Sequence, residues 1–276
     1  MMSMMITLLQ FKEGGKTLTE VVISNEIDSM PVTRINDRAF VNHFSLKSVI
    51  MPDSIKSMGY WVFYGCSSLE SIVISNNLKS IPKYAFYGCY KLENVTVPNS
   101  VTIIGECAFS NCKSLKSVNI SDGVTTIGNQ AFWYCKSLES VIIPESTENI
   151  SLYAFHGCTN LKEITILNPK CNICQRKDTF NENATIYGYE NSTAQEYAEK
   201  FDYKFVPLGK VPEYIPTGDL NGDGEFNVAD AVLFQKYILG ISDTEISDLK
   251  NADLYQDNII DSFDLCLMKK KLVENK

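Results

Sequence analysis

Two acidic stretches near the C-terminus carry oxygen-bearing residues at intervals that suit a hard divalent cation. In residues 219–230, DLNGDGEFNVAD, Asp219, Asn221, Asp223, Asn227 and Asp230 occupy loop positions 1, 3, 5, 9 and 12. A twelve-residue calcium loop takes ligands from those positions and a backbone carbonyl from position 7, here Glu225. Gly224 stands at position 6, where the chain turns sharply and a left-handed backbone is easiest for glycine. The spacing recurs 34 residues later in residues 253–264, DLYQDNIIDSFD. Asp253, Asp257, Asp261 and Asp264 fall at positions 1, 5, 9 and 12, and Ile259 offers the position-7 carbonyl. Tyr255 at position 3 removes one side-chain ligand, and Asn258 replaces the glycine of position 6. Asparagine is the next-best residue for a left-handed turn. Two calcium ions are expected, the first held more securely.

The elements around these loops repeat as well. Each loop has an apolar residue at position 8, Phe226 or Ile260, and runs into an apolar helical stretch, VADAVLFQKYILG or SFDLCLMKKKLV. Position 12 is Asp rather than the Glu of a typical EF-hand, which suggests a loop followed by a helix with no entering helix. Between the two, SDTEISDLKNA reads as a short helix with Ser242 as N-cap. This doubled loop–helix unit, residues 217–276, resembles a type I dockerin. The resemblance implies calcium-dependent docking to a cohesin module of a cellulosomal scaffoldin. It also implies a cohesin-binding face at positions 10, 11, 17 and 18 of each repeat. Those are Val228, Ala229, Gln235 and Lys236 in the first repeat and Ser262, Phe263, Lys269 and Lys270 in the second. The pairs differ in size, polarity and charge, so one dominant docking orientation is expected.

The charge balance follows the same division. The chain has 276 residues, 45% of them hydrophobic, and a net charge of −8. Residues 217–276 hold 12 acidic and 6 basic side chains, hence −6 of the chain's −8, so most of the net charge belongs to this doubled unit. There is no basic stripe for nucleic acid and no apolar run long enough for a membrane span. The start, MMSMMITLLQFKEGG, has an apolar patch without a basic leader or a cleavage site. A signal peptide is therefore not evident, although the resemblance implies a secreted, extracellular protein.

Upstream, the chain repeats with a period of 23: Phe40, Phe63, Phe86, Phe109, Phe132 and Phe155. Six residues after each comes Leu, then Val or Ile three and five residues on (Met51 once), in the pattern L-x-x-V-x-I of a short strand facing a core. A column of cysteines, 66, 89, 112, 135 and 158, follows the Phe column by three, with His43 in the first slot. No single rung can bury its apolar face, so the rungs must stack. Leu18, Val21 and Ile23 form an earlier rung, and residues 184–208 break the period as strand, helix and strand that close the end. The AFYGC-type segments read as helical turns on the convex side. These AF…GC…L..V.I columns, over roughly residues 18–208, resemble BspA-type leucine-rich repeats. The resemblance implies adhesion and protein contact. The expected architecture is α+β: a leucine-rich-repeat solenoid with caps over residues 1–208, a linker at 209–216, and a small all-α calcium-binding dockerin at 217–276.

Catalytic signals are few. Neither HExxH nor GxSxG occurs, and GGKT at 14–17 lacks the first glycine of a phosphate loop and reads as a turn. His43 and His156 read as variants of repeat positions, which leaves no nucleophile–base pair and no expected enzyme activity. Equivalent cysteines on neighbouring rungs have parallel side chains, poor geometry for a disulfide, and are expected as free buried thiols. Cys171 and Cys174 form a lone CxxC for which structural thiols, a local disulfide and a metal all stay open. Two surfaces could take a partner. One is the outward column of the concave strands: Ile50, Val73, Thr96, Asn119 and Ile142. The other is the aromatic cluster around Trp61 and Tyr87. The reading is a non-catalytic protein whose repeats bind a protein; holding plant polysaccharide, or regulating neighbouring enzymes, are the alternatives.

Overall fold

The computed structural model describes residues 4–6 (backbone only), 18–211, 218–241, 244–255 and 259–274. The chain divides into two units, Met1–Val211 and Pro212–Lys276. The first is a β-solenoid of about eight turns.

Each rung places an L-x-x-V-x-I strand in parallel register with its neighbours. Val21 pairs with Val49 and Val49 with Ile72, while Val95 pairs with Val118 and Val141 with Ile164. Alternation does the sorting: Val49, Val95, Val118, Val141 and Ile164 are buried, and their sequence neighbours face solvent. A second set of two-residue strands, Ser80–Ile81, Ile103–Ile104, Thr126–Ile127, Asn149–Ile150 and Asn172–Ile173, forms its own five-stranded parallel ladder. Between these ladders the six Phe rings stack, with consecutive centroids 5.1–5.3 Å apart and planes within 5–7° of parallel. All six are fully buried, and each contributes roughly 1.5–3 kcal/mol of apolar burial.

The AFYGC-type segments are not helical turns. Two residues before each Phe the backbone is left-handed, at Arg38, Trp61, Tyr84, Cys107, Gln130 and Tyr153, with φ of 54–58°. Two residues after it the backbone is left-handed again, at Asn42, Gly65, Gly88, Asn111, Tyr134 and Gly157. This alternation aims every second N–H at the next rung: Arg38 N–H donates to Tyr60 O (2.9 Å), Phe40 to Val62 (2.8 Å) and Asn42 to Tyr64 (2.8 Å). A helix would have turned those donors back on its own chain. Left-handed non-glycine residues cost about 1–2 kcal/mol each, and the inter-rung bonds offset that cost. The pattern runs unbroken to Tyr134 N–H on His156 O.

The expected strand, helix and strand close the solenoid: Thr185–Gly188, α1 (Thr193–Phe201) and Lys204–Pro207. Ser192 caps α1 by accepting the Gln195 N–H, and left-handed Asp202 ends it. Tyr197 of α1 is fully buried and donates its hydroxyl to Arg176 O at 2.6 Å.

The second unit is two loop–helix repeats, with α2 (Val228–Ile238) and α3 (Ser262–Glu274). Its fully packed apolar core is small: Leu220, Ala231, Phe234, Ala252, Leu254 and Met268. Residues 34 apart fill equivalent places, as Leu220 with Leu254 and Phe234 with Met268. The connection is shorter than the expected helix: one four-residue 3-10 turn, Leu249–Ala252, capped by Asp248. Ser242 lies outside the described residues, as do GGKT and residues 212–216 of the expected linker.

Candidate metal loops and docking faces

In the first acidic loop the side chains fold over their own backbone. Asp219 accepts the N–H groups of Gly222 (2.7 Å) and Gly224 (2.9 Å), Asn221 accepts that of Asp223, and Asp223 that of Glu225. Gly224 has φ +85°, the left-handed turn its position requires. Asp230 has a further task. One of its oxygens accepts from Leu220 (2.9 Å) and Asn221 (3.2 Å), the other from Asn227 (2.9 Å). It thereby ties the start of the loop to the first turn of α2, completing a capping box with Asn227. A carboxylate has about four acceptor sites, so a place remains for a cation. Asp264 does the same for Tyr255 (2.9 Å) and Asp261 (3.0 Å). Asp230 and Asp264 are both buried, unlike the exposed acids of the loop tip. Asp253 and Ile259 are described; Asp257 lies outside the described residues.

Among the described residues no three His, Cys, Asp or Glu side chains converge as a ready-made metal cluster. The donor set fits calcium in another way. Asp219, Asn221 and Asp223 share one turn with the Glu225 carbonyl, all hard oxygen ligands. Asn227 accepts the Ala229 N–H at 2.8 Å and stands at position 9, a place that often reaches the ion through water.

The eight residues assigned to the cohesin face are all exposed, Val228 at 65% and Phe263 at 74%. Lys269 Nζ donates to Gln235 Oε1 at 3.1 Å, so position 17 of one repeat meets position 17 of the other. Apolar exposure continues beyond those eight residues. Exposed Val232 and Leu239 continue the Val228 stripe on α2, and Val273 extends the α3 side. Their signal was available as apolar residues at helical spacing beside Val228.

On the solenoid, Ile50, Val73 and Ile142 stand out from the sheet at 46%, 55% and 59% exposure, and Thr96 and Asn119 are exposed between them. Val22, 70% exposed, pairs in register with Ile50, which pairs with Val73. Three apolar side chains thus line up across adjacent strands. Sequence reading missed Val22 because its rung stands off the 23-residue period.

The aromatic cluster is built differently. Trp61 stacks on Tyr84 (6.0 Å, 10°), and Tyr64 on Tyr87 (4.9 Å, 5°). The Arg38 guanidinium lies over the Trp61 ring, 4.9 Å from its centroid. Trp61, Tyr64, Tyr84 and Tyr87 are all half-buried, with ring faces turned to their rung neighbours.

All nine cysteines are free thiols. Each column cysteine donates its S–H to the carbonyl of a Phe 26 residues earlier, from Cys66 on Phe40 at 3.0 Å to Cys158 on Phe132 at 3.0 Å. Burial pushes the Cys66 and Cys171 thiols up to about 12 and raises Cys89, Cys112 and Cys135 as well. They pack as small hydrophobes. His43 sits against the Phe40 ring edge, and His156 against Tyr153 and Tyr134.

The BspA type leucine-rich repeat region matches six copies over residues 10–102 and 79–187. The chain belongs to the BspA-type leucine-rich repeat family. Residues 217–273 match the dockerin type I domain. A leucine-rich repeat protein of T. pallidum is similar in structure, with 27% identity and a TM-score of 0.55 over 69% of this chain and 86% of its own. A leucine-rich repeat protein of Bacteroides capillosus is 31% identical over 39% of this chain and 79% of its own, TM-score 0.34. A leucine-rich cell surface protein of Faecalibacterium prausnitzii shares 18% identity over 70% and 88%, TM-score 0.35. No curated protein matches. The dockerin implies cohesin docking and cellulosome association, and the BspA-type array implies a protein-binding scaffold. No helix among the described residues is long and apolar enough to cross a membrane.

Proposed function

We propose that this is a non-catalytic, extracellular binding protein of a cellulosome. Its dockerin, residues 217–276, loads two calcium ions and docks to a scaffoldin cohesin. Its leucine-rich array captures a protein. In the first loop the ligands are Asp219, Asn221, Asp223, the Glu225 carbonyl, Asn227 through water, and Asp230. In the second they are Asp253, Asp257, the Ile259 carbonyl, Asp261 and Asp264. The ion neutralises carboxylates that otherwise repel one another, and its binding energy becomes folding energy of a unit with little core.

The observation that carries the protein-capture reading is the stripe Val22, Ile50 and Val73. A rigid sheet that displays aligned apolar side chains loses little entropy on binding. An extended protein surface fits that spacing better than a small molecule does. The polysaccharide alternative weakens for the half-buried rings, because a ring that stacks on a sugar needs a free face and Trp61, Tyr64, Tyr84 and Tyr87 each give one face to a neighbour; it keeps Tyr90, which is 44% exposed. Capture experiments with the full chain, calcium-loaded on immobilised cohesin, test both arms. Secreted proteins should be retained and plant cell-wall polymers should not. Retention of polymers, lost on Trp61→Ala, would reverse the choice. Asp substitutions at Val228 and Ala229, or instead at Ser262 and Phe263, should abolish cohesin binding. Full affinity in both single-face variants would mean two working orientations.

A further inference from the structure

The ladder of the turn column ends abruptly. In a regular rung the Phe155 N–H would meet the carbonyl 22 residues on; it meets Thr179 O instead, at 2.9 Å. Two extra residues enter here with the 3-10 turn Lys177–Thr179. The following ring registers the change: Phe155 and Phe180 are 6.0 Å apart and tilted by 31°. Where the ladder fails a cleft opens, about 690 Å³, between Gly157 of the last rung and the segment 175–182 that follows it. That is the size of a small-molecule site, which typically spans about 300–1,000 Å³.

Its lining is chemically specific. All the ladder N–H groups point toward this end of the stack, and the last of them have lost their acceptors. No carbonyl or side chain among the described residues accepts from the N–H of Tyr153 or of Gly157, and Gly157 lines the cleft. Arg176 and Lys177 stand beside it, both exposed. Arg176 commits Nε to Asp178 at 3.4 Å, and Lys177 has no ion-pair partner among the described residues. Asp178 and Glu182 complete the charged lining. Two cations balanced by two carboxylates disfavour a multiply charged anion. They suit a single carboxylate held by N–H and cationic donors, on a molecule whose hydroxyl or ammonium groups reach Asp178 and Glu182.

We propose that this cleft binds a small ligand through one carboxylate, set on Arg176, Lys177 and the Gly157 N–H. An acidic sugar and a peptide C-terminus share that chemistry. The test uses the full, calcium-loaded chain with D-glucuronate and glycylglycine as probes, and glucose and glycinamide as neutral counterparts. Titration calorimetry should show binding of at least one carboxylate probe, with its neutral counterpart about tenfold weaker or more. The Gly157 amide resonance should move on binding, and which probe moves it tells the source. Arg176→Gln with Lys177→Gln should weaken binding about tenfold or more while the melting temperature stays put. Should the double variant fold poorly, Lys177→Gln alone serves, since that side chain holds nothing in place. Neutral probes binding as tightly, a variant binding as well as the parent, or no binding of either carboxylate probe at about tenfold the usual millimolar limit of weak sites would each overturn the proposal.

Discussion

The array and the dockerin are both made of repeats, and they use repetition for opposite ends. In the array, each rung adds a Phe to the ring stack, a Leu and a Val or Ile to the core, and a set of N–H bonds to the next rung. Repetition there accumulates burial. In the dockerin two repeats share six core residues, and each spends a buried carboxylate, Asp230 or Asp264, on tying its loop to its helix. Repetition there duplicates a charged site. The first unit is held by apolar area, whereas the second, on the function proposed above, relies on a cation to quiet its own ligands.

That contrast is sharpest under a chelator. Removing calcium from the full chain should erase the helical signal of α2 and α3 and leave the melting of the array unchanged, as read by circular dichroism and calorimetry. A dockerin that keeps its helices without calcium would break the comparison. Phe109→Ala acts the other way round. It should cost the array about 3–5 kcal/mol, because the flanking rings cannot close the gap, and leave cohesin binding intact.

Alkaline pH separates the units more gently. The Cys66 and Cys171 thiols rise from 9.0 unfolded to about 12 folded. Their contribution is complete below pH 9 and is lost as pH climbs toward 12, about 1.4 kcal/mol per thiol per pH unit. The array should therefore soften above pH 9 in denaturant titrations. The smallest effect is the most informative about binding. Val73→Asp with Ile142→Asp should change array stability by no more than about 0.5 kcal/mol per site, yet reduce protein capture in the pull-down. Unfolding by that pair would mean that the sheet face is not free.

Much of this was legible in the residues. The 23-residue columns give the strand faces, because a period of two leaves only one way to bury Val49 or Val118. The spacing of Asp219, Asn221, Asp223 and Gly224 gives the loop. The AF segments were harder. Their apolar spacing is the same for a helical turn as for a left-handed alternation, and only the destination of the N–H groups distinguishes them. The task of Asp230 was hidden for a similar reason: position in a ligand pattern does not tell which backbone groups compete for the same oxygens. The cleft beyond the last rung left only a faint trace, the two-residue slip between Phe155 and Phe180.

The stack of six phenylalanines has a consequence for how such a chain can change length. Every interior ring meets a neighbour of the same kind at nearly the same distance and angle on both sides. A rung is therefore interchangeable with the one beside it. Cutting 23 residues out of the middle, or copying them in, restores the same contacts across the new junction. The caps and the dockerin would feel no difference, so the reach of the binding face is adjustable in whole rungs.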